Sequence, residues 1–378
     1  MYFQKRRENL LNSLRKIGIH NILVQDLDNI FYLTGFLAAV HSRPFGLVLG
    51  QEKCVLIVPA TSAESAKKET NNIDIAIYYE HPVDSEECLS FHDCLALIVE
   101  QVADEKLIGV EENKLSLSDL KLLKEIGFDV QNISNYLIKM RSIKDTKELK
   151  EIRLSAKYVD LMNKKTLDIT HPGITEIELE QEGAFYLRKE VLQNLSDASL
   201  STFIMTTSGT DRTVMPHTNS SNRKIQLGDA VILCRQVAIN GYRAQCDRMV
   251  FVGNPSKEMI KYYSIVLEAH SEALNVIRSG ISAAEVDQAI RKVFKKADVD
   301  EYFVHRSGSG LGISMGEAPY LRFDSQETLA ENMVLVVQPA IYIPGVGGFR
   351  CSDTVIVQKE GCELITKHPR DIQLLTVS

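Results

Sequence analysis

Apolar residues recur along this chain in two rhythms, and the change between them divides it. Leu10, Leu11, Leu14 and Ile17 keep helical spacing, and HNILVQD then reads as a buried strand. FGLVLG and KCVLIVPA read as two strands about a turn at Gly50-Gln51. LALIVEQVA is helical, LIGVE a strand, and SLSDLKLLKEIG a helix stopped by Gly127. This alternation predicts a small α/β domain over residues 1–135. ISNYLIKMRSIKDTKE is basic and polar, so residues 136–146 are expected to connect two domains.

From 147 to 378 the pattern changes. A long helix is expected over roughly 145–168, with Glu148, Lys150, Glu151 and Arg153 on solvated faces. Thr175 with Glu178, and Ser282 with Glu285, are capping boxes whose side chains satisfy the free N–H groups of a first turn. Strands follow each helical stretch: STFIMTT and VILCRQVAINGYRAQCDRMV, then NMVLVVQPAIYI and GGFRCSDTVIVQ. Helix pair, strands, helix pair, strands hints at a repeated unit in an α+β architecture. VILCRQVAINGYRAQCDRMV reads as a hairpin turning at Asn240-Gly241. It shows Cys234 and Gln236 on one face of its first strand, and Gln245 and Asp247 on one face of its second.

Composition narrows the function. The 378 residues are 44% hydrophobic and 25% charged, ordinary values for a soluble protein with room for two cores. A formal net charge of −7 leaves no excess of Lys and Arg for phosphate backbones, so no nucleic-acid partner is expected. No apolar run nears the roughly 20 residues that span a membrane, and MYFQKRRENLLNSL is unlike a signal peptide. The seven cysteines (Cys54, Cys88, Cys94, Cys234, Cys246, Cys351 and Cys362) are odd in number and lack CxxC spacing. Reduced thiols in a cytoplasm fit this better than disulfides or a zinc site.

Five segments then carry a resemblance: NIFYLTGF, MRSIKDTKELKEIRLSA, MPHTNSSNRKIQLGDAVIL, HRSGSGLGISMGEAPYLR and VVQPAIYIPGVGGFRCSDTVIV. Their order and spacing resemble the pita-bread hydrolases: aminopeptidase P, prolidase, methionine aminopeptidase and creatinase. The resemblance covers nearly the whole chain. It implies a C-terminal pita-bread fold preceded by a small α/β creatinase N-terminal-like domain. In the family's metallopeptidases two Asp, one His and two Glu hold two divalent ions, and a metal-bound hydroxide is the nucleophile. Matched one at a time, these ligands fall on Cys234, Gln245, Ser309, Gln338 and Ser352, and a substrate-contacting His falls on Gly316. Neutral amides and hydroxyls do not make a cage for two dications, so no metal and no cofactor is expected.

Two polar groups stand out in what remains. His217 matches the family's substrate-facing histidine; by itself it reads equally as a loop residue. Asp247 stands where the metallopeptidases usually have Thr and where creatinase carries an acidic residue for its guanidinium substrate; a salt bridge to Arg248 or Arg243 is the structural alternative. A carboxylate beside a histidine suits general acid–base work, so His217 and Asp247 are the expected catalytic residues. Cys234, Gln245, Ser309, Gln338, Ser352 and Glu317 are expected to touch substrate; a Cys234–His217 nucleophile pair is weighed against simple packing of the thiol. Cys246 and Cys351 fall on the opposite strand faces and read as packing, and the glycines of SGSGLG as room for a substrate to approach. Arg306, Glu317 and Arg350 match family positions that shape the cavity, whereas Arg235 and Arg243 read as rim charges. The resulting expectation is a metal-independent, creatinase-like hydrolase of a non-peptide C–N bond in a small guanidino, cyclic-amidine or amide substrate, working as a homodimer. A non-catalytic binding protein and an Xaa-Pro dipeptidase are the alternatives.

Overall fold

The alternating pattern near the N-terminus builds one mixed sheet. In this computed structural model, which describes residues 2–39, 42–81 and 90–378, the chain falls into two compact units, Met1–Arg141 and Ser142–Ser378. Cys88 lies outside the described residues. Six strands of the first unit lie in the order Asp74–Tyr78, Cys54–Pro59, Gly46–Leu49, Asn21–Val24, Leu107–Val110, Asp129–Asn132. The middle strands are buried on both faces, which is why they read as continuous apolar runs. Helix Phe91–Val102 lays Leu95, Ile98 and Val99 against Leu23, Val48 and Ile57. The NIFYLTGF segment forms helix Leu27–Thr34, capped by Asp26 and ended by Gly35 at φ 86°, a left-handed position that glycine adopts freely. Part of the expected connection is itself helical, Ser134–Ser142.

The second unit shows the anticipated order of helix pair and sheet, twice. Helices Thr146–Ile169 and Glu176–Asn194 precede a sheet ordered Thr376–Val377, Arg248–Val252, Ala230–Ile239, Leu200–Ser208, with Tyr242–Gln245 also paired to Ala230–Ile239. Helices Lys257–Val276 and Ala283–Lys296 precede a sheet ordered Glu317–Leu321, Gly308–Gly310, Val334–Val337, Asp353–Val357, Cys362–Leu364. Both capping boxes form as read: Thr175 N donates to Glu178 at 2.8 Å, and Ser282 N to Glu285 at 2.8 Å. Asn240 and Gly241 both have positive φ, 51° and 82°, as a type I′ hairpin turn requires. Phe251 and Tyr263, fully buried with ring centroids 5.4 Å apart, anchor the larger core.

Three extended runs that read as single strands are each broken. NMVLVVQPAIYI divides into Val334–Val337 and Ala340–Ile343, which belong to different sheets. GGFRCSDTVIVQ divides into Gly347–Arg350 and Asp353–Val357, and the second hairpin strand into Tyr242–Gln245 and Arg248–Val252. The chain changes sheets at the first two breaks and stays against Ala230–Ile239 at the third, and alternation continues across all of them, so the apolar pattern does not betray them.

Arg248, wholly buried, binds the broken pieces together. Its guanidinium donates to the carbonyls of Asp247 (2.9 Å) and Ser352 (2.6 Å), to Asp353 Oδ1 (2.7 Å) and to the His368 carbonyl (2.7 Å). Burial would raise the Asp353 carboxyl, but Arg248, a hydrogen bond from His270, and Arg370 hold it well below the usual carboxylate range. Its folded pKa is therefore depressed. The stability it contributes is complete above the unfolded value of about 4 and declines as pH falls below that. Asp353→Asn, which strands a buried guanidinium, is expected to lower unfolding stability by about 3–5 kcal/mol in a urea titration at pH 7, with the difference narrowing toward acid pH.

Candidate functional site

The breaks bring Cys234, Gln245, Asp247, Gln338 and Ser352, five of the expected residues, close together. Cys234 lies on strand Ala230–Ile239, directly across the ladder from Asp247. At that level the ladder is interrupted: Cys246 N donates to the Arg235 carbonyl at 3.0 Å, but Arg235 N donates to Asp247 Oδ1 at 3.1 Å instead of to a main-chain oxygen. Asp247 N in turn donates to Ser352 Oγ at 2.8 Å, and Ser352 N to the Asp247 carbonyl at 3.1 Å. Side chain and main chain thus exchange roles where the two sheets meet.

Asp247 is fully buried, and its charge is already balanced. Arg350 Nε donates to Asp247 Oδ2 at 2.7 Å, and Gln245 Nε2 donates to the same oxygen at 2.9 Å. Gln338 Oε1 accepts from Gln245 (3.1 Å) and from Arg350 (3.3 Å), and Gln245 Oε1 accepts from Gln236 (3.2 Å). Burial would lower the Arg350 guanidinium, but the Asp247 charge raises it above its ordinary value. The partner of Asp247 is therefore Arg350, not the Arg248 or Arg243 considered from sequence. The signal was present: residues 350 and 352 alternate onto one face, so an arginine aligned with Ser352 points into the same space.

A cavity of only about 10 Å³ adjoins this network, lined by Cys234, Arg350, Tyr342, Met205, Thr207, Met215, Pro216 and Thr218, among others. Burial and the Asp247 charge push the Cys234 thiol up to about 12, so it is a neutral packing group at pH 7. Cys246 and Cys351 are buried as well, and burial pushes Cys351 to about 12. Tyr342 and His305 were not singled out from sequence. The Tyr342 hydroxyl lies 3.1 Å from His305 Nε2, and burial with the Arg350 charge pushes His305 down to about 4.

The remaining expected residues divide. Ser309 and Ser352 are buried in the site, and Gln245 and Gln338 are held in its hydrogen bonds. Glu317 instead forms an ion pair with buried Lys144 at 2.8 Å. His217 is exposed on the irregular segment before strand Ala230–Ile239 and makes no hydrogen bond or ion pair among the described residues. The structure does not assemble His217 and Asp247 as a pair, because the carboxylate is sealed behind Arg350. Arg235 is no rim charge: it is fully buried, donating to the Met205 carbonyl (2.6 Å) and Thr206 Oγ1 (2.8 Å), and burial pushes it down to about 10. Arg243, half-buried, donates to the Ile313 carbonyl at 2.8 Å. Close approach at the Gly-rich segment is to main chain: a Cβ on Gly308 would lie 2.0 Å from the Val336 carbonyl oxygen.

Residues 150–359 match the metallopeptidase family M24, and residues 6–143 match the creatinase/prolidase N-terminal domain. The chain belongs to metallopeptidase family M24. A Pyrococcus horikoshii Xaa-Pro dipeptidase is 28% identical over 97% of this chain and 97% of that protein. Among solved structures, an Xaa-Pro dipeptidase from Bacillus anthracis superposes with a TM-score of 0.85 at 29% identity, over 99% of this chain and 100% of that one. A prolidase from Thermococcus sibiricus gives 0.87 at 27% identity, with all of both chains covered. These full-length relationships correct the expected chemistry. The M24 relatives are peptidases, so a creatinase-like hydrolase of a non-peptide C–N bond is not the reading this chain supports.

The M24 family implies metal ions, and the residues here do not fit a pair of them. Of the five matched positions, Cys234 is a protonated thiol and the other four are amides and hydroxyls. The Gln245 and Gln338 oxygens already accept hydrogen bonds, and the carboxylate beside them, Asp247, faces a guanidinium. Elsewhere among the described residues, His270, Cys351 and Asp353 bring possible ligand atoms within 4.8 Å of one another. There Arg248 and Arg370 stand 2.7 and 3.1 Å from Asp353, so a dication would meet two guanidiniums.

Arg350→Gln leaves the Asp247 carboxylate buried without its counter-charge and is expected to cost about 3–5 kcal/mol in unfolding stability. Combining it with Asp247→Asn should cost less than the sum of the single changes, a coupling of about 0.5–3 kcal/mol in a double-mutant cycle. Strict additivity would mean that the pair does not hold the site together. Thiol titration of the native protein at pH 8 should find Cys234 unreactive until the chain unfolds.

Proposed function

We propose that the substrate of this chain is a short peptide of the Xaa-Pro type, recognised beside the small cavity at Arg350 and Tyr342. The observation that carries this reading is the full-length relationship to proteins named Xaa-Pro dipeptidase. The lining accords with it. Met205, Met215 and Ile232 offer apolar surface to a proline ring, and Arg350, Tyr342, Thr207 and Thr218 offer donors to a peptide carbonyl or carboxylate. Arg350, paired to Asp247, sets the charge of the cavity without a dication, so the residues present bind and orient a peptide. No hydrolytic step through a metal is derived from this donor set.

A homodimer and a cytoplasmic setting go with this reading. They are supported by the retained N-terminal domain and by the free thiols among the described residues. Light scattering at micromolar concentration should give twice the chain mass.

Calorimetric titration with Leu-Pro and Ala-Pro, alongside creatine and arginine, tests the substrate class. The dipeptides are expected to bind and the guanidino compounds not to. The reverse preference would refute the reading. Released proline, measured in the same samples, is expected not to rise when manganese is added, because nothing at the five matched positions binds it as the family's ligands would.

A further inference from the structure

A second cavity lies on the outer side of helix Thr146–Ile169, against the segment that follows strand Cys362–Leu364. Its volume, about 530 Å³, lies within the usual range of small-molecule sites. Arg153, Lys157, Lys164 and Lys367 line it together with Asp160 and Glu363, a surplus of two positive charges in a chain whose formal net charge is −7. Arg153 is committed to Glu363 at 2.6 Å, and Asp160 accepts from Lys367 N (2.7 Å) and His368 N (3.2 Å). The three lysines make no ion pair among the described residues.

Two further features point to a ligand. Leu161, Ile365 and Pro369 add apolar surface beside the ammonium groups. His368, 7% exposed, is a lining residue, and its Nε2, shut off from solvent, has no hydrogen-bond partner. Burial and the Arg248 charge push that ring down to about 4, which keeps it neutral at physiological pH. The far wall is also preformed. The His368 and Pro369 carbonyls accept from Arg248 while the Lys367 and His368 N–H groups are held by Asp160, so the segment is tied on both sides.

We infer that this cavity is a second ligand site, and that it takes a small organic phosphate. A phosphomonoester dianion balances the surplus charge. Lysine ammonium groups serve as point charges for phosphate without demanding a fixed fork geometry. The organic part rests on Leu161, Ile365 and Pro369. Neither the family relationship nor the Arg350 cavity enters this inference.

The test is calorimetric titration of the full chain with phenyl phosphate and with inorganic phosphate in about 0.15 M salt, where weak surface attraction is screened. Phenyl phosphate is expected to saturate at one site per chain and to bind more tightly than inorganic phosphate. In the Lys157→Glu, Lys367→Glu double variant its affinity should fall by at least about tenfold. The thermal midpoint without ligand should match that of the parent, which would show that the variant folds. Lys157→Arg with Lys367→Arg should keep binding. Failure of phenyl phosphate to saturate, affinity equal to that of inorganic phosphate, or unchanged binding by the charge-reversed variant would each overturn the inference.

Discussion

Two neighbouring residues of one strand region, Asp247 and Arg248, reach opposite ways and meet opposite charges from a single other segment. Asp247 pairs with Arg350 at 2.7 Å, and Arg248 pairs with Asp353 at 2.7 Å. All four side chains are at most 7% exposed. Buried charges are tolerated only when paired and fully hydrogen-bonded, so each pair requires the other segment to lie in one register. The double stitch ties the sheet of Arg248–Val252 to the strands Gly347–Arg350 and Asp353–Val357, on either side of the break at 351–352. The hydrogen bonds of Ser352, Gln245 and Gln338 follow from that registration.

Much of the architecture could be read from the chain because its signals are local. Both capping boxes, the Asn240-Gly241 turn and the doubly buried strands of the N-terminal sheet depend on neighbours in sequence. The breaks at 246–247, 338–339 and 351–352 depend on partners a hundred residues away, and the alternation carries on through them. Arg235 shows the same limit. Its place in the strand suggested an outward side chain, yet the main-chain carbonyl of Met205 and the hydroxyl of Thr206 draw it into a dry interior.

The sequence placed several polar residues on shared faces but did not show how their charges are balanced. Gln245, Ser309, Ser352 and Cys234 are buried where the motifs placed them. The error lay in treating Asp247 as a free carboxylate. A one-dimensional reading gives its face of the strand but not the counter-ion, which arrives from residue 350. Without Arg350 in view, an acidic residue beside a histidine suggests acid–base chemistry on a cationic substrate. With it, the carboxylate belongs to the framework, and substrate class is better judged from the peptidase relatives.

The opposition of Cys234 and Asp247 across the ladder also bears on how such a site could change over evolutionary time. Restoring an aspartate at 234 alone would place two carboxylates face to face around one guanidinium, and like charges at that distance cannot both ionise in a dry interior. An acid at 245 alone would set a negative group where an amide now donates a hydrogen to Asp247. At 234 and 245, a single acidic substitution is opposed by the charge balance already in place. The arginine-balanced pocket therefore takes further acids at 234 and 245 only with compensating changes at its other charges.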